Sequence, residues 1–173
     1  MIKPSEKQGF SGLPLLRPYG VHESSDLMTL MEHFYYTDAR GQVHWAPKGM
    51  ISDGASFPRR AERFFEGFNA WLAGLIHDSM YLLSPVTKVS RKDCDALFGE
   101  MVVFTGGRGL QGWLGQKGLD LGGWHSWGEC QKLGVTWSDF DTSVLDHHEI
   151  AWYRKEFNLD RGAARPLLSG VNP

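Results

Sequence analysis

Cysteine is scarce in this chain: Cys94 and Cys130 are the two in 173 residues. Two thiols set no disulfide framework, and a reducing compartment is the simpler expectation. Charge of one sign is missing as well. Eighteen Lys and Arg face 20 Asp and Glu, for a net charge of −2, and no basic run occurs. Bulk electrostatics therefore gives no reason to expect nucleic acid or an anionic membrane surface as partner. No stretch approaches the roughly 20 apolar residues of a membrane span. The start, Met1-Ile2-Lys3-Pro4-Ser5, lacks the apolar region of a signal peptide. The expectation is an intracellular or particle-associated protein with no transmembrane segment. Gly-x-Ser-x-Gly and a Walker loop are absent too; Gly106-Gly107-Arg108-Gly109 lacks the Lys-Ser/Thr that would hold a nucleotide.

What the chain does have is aromatic residues, 13% with seven Trp, and 21 glycines. That suits either a dense core or a docking surface. Length alone allows about one domain with a real core.

The pattern predicts an α+β fold: a small antiparallel hairpin or sheet in the N-terminal third, packed on three or four helices, as a single domain over 1–173. Residues 1–26 read as an arm with at most a short strand. Residues 27–49 read as a hairpin, with 27–36 as one strand, a turn at Asp38-Ala39-Arg40-Gly41, and Val43-His44-Trp45-Ala46 returning. The helical part spans 58–157, opening with a short helix over 58–65 that starts at Pro58. Trp71, Leu72, Leu75 and Ile76 recur at helical period and predict a helix over 69–82, with Asn69 as N-cap. After a connection of about seven residues, Ser90 with Asp93 three positions on predicts the start of the next helix. Its core stripe is Cys94, Leu97, Met101 and Phe104, with Asp95 about 100° away. Gly112, Gly115, Gly118 and Gly122 fall at spacings of three and four, which gives a helix with a smooth side, compensated by burial of Trp113, Trp124 and Trp127. A last helix covers 142–157, and 158–173 is a loose tail.

His77, Asp78 and Tyr81 share the first long helix, and Asp95 is brought towards His77 by the second. An imidazole, a phenol and carboxylates in one place can activate water or hold a divalent cation. They can equally form a buried polar network that fixes one helix packing. Both readings stay open at this point. Asp93 reads as a helix cap and Asp53-Gly54 as a turn first and a metal loop second. Asp146-His147-His148-Glu149 is a poor chelate, because adjacent helical residues diverge, and His148 lies on an apolar stripe with Trp152. His125 reads as structural, and Cys94 as a core thiol.

Three motifs then carry a resemblance: Asp53-Gly54-Ala55-Ser56-Phe57-Pro58-Arg59; His77-Asp78-x-x-Tyr81; and Ser90-Arg91-x-x-x-Asp95-x-x-Phe98-x-x-Met101. In that order, over roughly residues 30–130, the chain resembles the phage and prophage family catalogued as domain of unknown function 1353. The resemblance implies a tailed-phage origin, location in the host cytoplasm or on the virion, and partners among phage structural proteins or host proteins. It implies no activity. Locally, His-Asp-x-x-Tyr followed by Asp-x-x-Phe is similar to the paired helices of phospholipases A2. That likeness implies a metal-assisted hydrolase acting on a lipid or other ester. His77 would be the base, Asp95 its orienting carboxylate and Tyr81 a supporting hydrogen-bond partner. Asp78, with Asp53 and Gly54 upstream, would hold Ca²⁺.

Overall fold

A computed structural model describes residues 5–18, 28–52, 54 and 70–133. Among these residues there are six short strands: β1 (Gly9–Phe10), β2 (Leu16–Pro18), β3 (Met28–Leu30), β4 (Phe34–Thr37), β5 (Val43–Ala46) and β6 (Ile51–Ser52). They pair antiparallel into two three-stranded sheets, in the orders β1-β4-β5 and β2-β3-β6. The helical half contributes α1 (Ala70–Thr87), α2 (Arg91–Phe104), α3 (Gly109–Gly122) and α4 (Trp124–Leu133). The fold is α+β, as the pattern predicts.

The β4–β5 hairpin forms at the expected turn, with Phe34 opposite Ala46 and Tyr36 opposite His44. Phe34, Tyr36 and Ala46 are fully buried, so one face of the hairpin is core. Asp38 closes the turn by accepting from the amides of Arg40 (2.9 Å) and Gln42 (2.8 Å), and Gly41 supplies the left-handed residue at φ 80°. Two expectations fail nearby. The predicted single strand over 27–36 is split between the sheets, because Leu30 exchanges backbone hydrogen bonds with the 49–50 segment rather than continuing into β4. The arm holds two strands, not one at most. Phe10 draws β1 in by stacking on Phe34 at 5.5 Å and meeting Tyr36 at 4.7 Å.

Helix α1 runs five residues past its predicted end and through Pro85. Proline removes the amide that the Tyr81 carbonyl would have accepted from, and the Ser84 hydroxyl takes its place at 2.7 Å. Lys88 then turns left-handed at φ 59°, so three residues, not seven, join α1 to α2. Ser90 caps α2 as predicted: its hydroxyl accepts from the Asp93 amide at 3.2 Å and donates to the Asp93 carboxylate at 2.6 Å. Cys94, Leu97 and Met101 form the buried stripe, but Phe104 is 44% exposed. The face with Asp95, Phe98 and Val102 is buried too, because α2 packs against α1 and α3 together.

The glycine stripe is half used. A Cβ on Gly112 would lie 2.7 Å from the Gly99 carbonyl, so α2 and α3 cross in backbone contact there, whereas Gly118 and Gly122 face open space. Trp127 packs edge-on against Tyr81 at 5.0 Å. Trp113 and Trp124 stay exposed, contrary to the expected burial. The predicted helix over 58–65, the Asn69 cap, the helix over 142–157 with Asp146-His147-His148-Glu149, and the tail 158–173 lie outside the described residues.

Candidate functional site

Helical spacing puts His77 and Tyr81 one turn apart on α1, with their ring centroids 4.2 Å apart. The short link folds α2 back so that Asp95, in its second turn, meets both. His77 Nε2 lies 3.0 Å from Asp95 Oδ1, and the Tyr81 hydroxyl donates to that same oxygen at 2.6 Å. Arg91, one turn before Asp95, places Nη1 3.4 Å from Asp95 Oδ2 and donates to the Leu119 carbonyl at 3.0 Å, which ties α3 to the group. His77 is 5% exposed, Tyr81 4% and Asp95 0%. A carboxylate this deep is tolerable only because three partners share its charge.

The other ring nitrogen faces the second carboxylate. His77 Nδ1 is 3.8 Å from Asp78 Oδ1, close enough for attraction between charges and too far for a hydrogen bond. Asp78 is part-exposed, and its Oδ2 accepts from the Ser52 hydroxyl at 2.6 Å. Ser52 in turn accepts from the Gly54 amide at 2.8 Å, so strand β6 is pinned to α1 through one hydroxyl. Gly54 has φ 75°, and a Cβ there would fall 2.0 Å from the Trp71 ring; only glycine fits.

Burial opposes charging of His77, but the adjacent carboxylates of Asp78 and Asp95 outweigh it and raise its pKa. Burial and then Asp95 push the Tyr81 phenol far above its ordinary value, which keeps it a donor. Burial, reinforced by Asp95 and Asp93, drives the Cys94 thiol up to about 12 and removes it as a nucleophile.

The structure thus brings His77, Tyr81, Asp95 and Asp78 together, while Asp53 lies outside the described residues. Gly54 enters by its amide. Sequence reasoning missed Ser52, and it did not pair Arg91 with Asp95. The i,i+4 spacing of Arg91 and Asp95 was the available signal. Calcium takes six to eight oxygen ligands. Among the described residues no group of three or more His, Cys, Asp and Glu side chains is arranged to hold a metal ion. Asp95 is committed to His77, Tyr81 and Arg91, and Asp78 already accepts from Ser52. The described residues do not complete a calcium cage.

The family described as protein of unknown function (DUF1353) matches residues 28–117, just over half of the chain. The chain belongs to that family. The stretch shared with the family contains every side chain of the network, from Ser52 to Asp95, and ends within α3. No curated protein and no solved structure matches the chain.

Proposed function

We propose that this protein is a phage-encoded hydrolase in which His77 activates water against an ester, with a lipid ester as the substrate class by analogy to phospholipases A2. The observation that carries the reading is the placement of two carboxylates on opposite sides of one imidazole. With Nε2–H directed at Asp95, Nδ1 is the basic nitrogen. It would take a proton from water as the oxygen attacks the carbonyl carbon, and return it to the departing alkoxide. Asp95 fixes the tautomer and offsets the imidazolium charge, while Tyr81 and Arg91 hold Asp95 in place. Asp78 lies beside Nδ1, where it favours the protonated ring and orients the incoming water. Asp78 is also the residue that would face a calcium ion.

One observation favours a second reading. His77 is 5% exposed and enclosed by the rings of Tyr81 and Phe98, the latter at 5.4 Å. That enclosure suits a non-enzymatic phage protein, a virion or tail component or a host-interaction factor, in which the network locks α1 onto α2.

A screen of short-chain esters and phospholipids separates the two. The hydrolase reading expects turnover by the wild type and a loss of about 100-fold or more in His77→Gln, with thermal unfolding still cooperative. Full activity in His77→Gln would overturn it. No turnover by the wild type, together with copurification on phage particles, would favour the structural protein.

A further inference from the structure

A groove of about 470 Å³ runs between α2 and α3, and its lining shares no residue with the His77 network. Phe104 of α2 and Trp113 of α3 contribute aromatic wall, while Gln8 and Gln116 supply amides. Glu100 is the one charged residue in that lining. Its position is tightly set. Oε1 accepts from the Tyr36 hydroxyl at 2.9 Å, the Ala39 amide at 3.0 Å and Gln8 Nε2 at 3.1 Å. All three donors are neutral. They fix the carboxylate, and among the described residues no cation pairs with it and nothing hydrogen-bonds Oε2. The aromatic wall is open as well: Trp113 is 53% exposed and Phe104 44%.

The crossing of the helices sets these groups side by side. Gly99 and Gly112 meet in backbone contact, so their successors, Glu100 and Trp113, stand at neighbouring positions across the α2–α3 seam. A preorganised carboxylate next to part-exposed aromatic rings offers an ion pair and cation–π attraction together. An anion would be repelled. A small inorganic cation would lose more in hydration than the rings return. A neutral apolar molecule would leave the carboxylate unmatched.

We propose that this groove binds an organic cation of the alkylammonium class, seated against Trp113 and Phe104 and paired with Glu100.

The test is titration of the full chain with tetramethylammonium, followed by tryptophan fluorescence and calorimetry, beside the neutral tert-butanol. Saturable binding is expected, at least about fivefold tighter than tert-butanol. Glu100→Gln keeps an acceptor for the three donors while removing the charge, and is expected to bring the two probes level. Trp113→Ala, at an exposed site, is expected to weaken tetramethylammonium by a similar factor. His77→Gln is expected to leave binding unchanged. The proposal is overturned by equal affinity for both probes, by undiminished binding in Glu100→Gln, by loss of binding in His77→Gln, or by no saturation with tetramethylammonium up to about 0.1 M, where an interaction worth the name would be visible.

Discussion

The Tyr81 hydroxyl donates to Asp95 Oδ1 at 2.6 Å, inside the α1–α2 interface where Asp95 has no exposure to solvent. A hydrogen bond to a buried charge is worth more than one between neutral groups, and it leaves a costly acceptor if removed. Tyr81 therefore supports the position of the carboxylate on which His77 depends.

Tyr81→Phe is expected to lose about 1.5–3 kcal/mol of stability in urea unfolding. Asp95→Asn is expected to cost more, about 3–5 kcal/mol, because it strips the counter-charge from both Arg91 and His77. Imidazole resonances followed by NMR in Asp95→Asn are expected to titrate lower for His77 than in the wild type. An unchanged His77 titration would mean that Asp95 does not set the charge of the ring.

The raised pKa of His77 has opposite consequences for stability and for catalysis. Because the folded-state value lies above the unfolded value of about 6.5, ionisation of His77 stabilises the fold fully below that pH. The contribution fades as the pH rises through the folded-state pKa. A base must be neutral, so hydrolysis is expected to rise over the same interval. Melting temperatures of wild type and His77→Gln, compared from about pH 5.5 to about pH 9.5, are expected to converge towards the alkaline end. A difference that grows with pH would reverse the assignment.

Much of this arrangement was legible from spacing. The hairpin turn at Asp38-Gly41, the Ser90 cap and the meeting of His77, Tyr81 and Asp95 all follow from local chemistry and helical pitch. What escaped was set by partners distant in sequence. Phe10 becomes a strand residue only because Phe34 and Tyr36 offer it a surface. Helix α1 continues through Pro85, where the Ser84 hydroxyl fills the gap the proline leaves. Ser52 carries no signal of its own; its role appears once β6 is laid beside Asp78. The exposure of Trp113 and Trp124 was equally hidden, since composition does not say which side of a helix is covered.

Asp78 offers one carboxylate, with one oxygen already accepting from Ser52. Such a supply predicts weak calcium binding, millimolar or looser, since high affinity needs several carboxylates in a rigid cage. Calorimetric titration of Ca²⁺ into metal-free protein, with Asp78→Asn as control, measures this directly. Micromolar binding that disappears in Asp78→Asn would contradict the expectation and show that further oxygens join Asp78.

The two kinds of glycine on α3 give a sharp contrast. Gly112→Ala would put a methyl carbon 2.7 Å from the Gly99 carbonyl and 2.9 Å from a Val103 methyl, so α3 must move off α2. A loss of about 1–3 kcal/mol is expected, typical of overpacking at a close seam. Gly118 meets nothing within 4 Å and sits in the same helix. Gly118→Ala is expected to gain about 0.5–1 kcal/mol from helix propensity alone. Urea unfolding of both variants measures the sign at each position. Equal effects would mean that the Gly99–Gly112 contact does not hold the seam, and with it the placement of Glu100 beside Trp113 would fail.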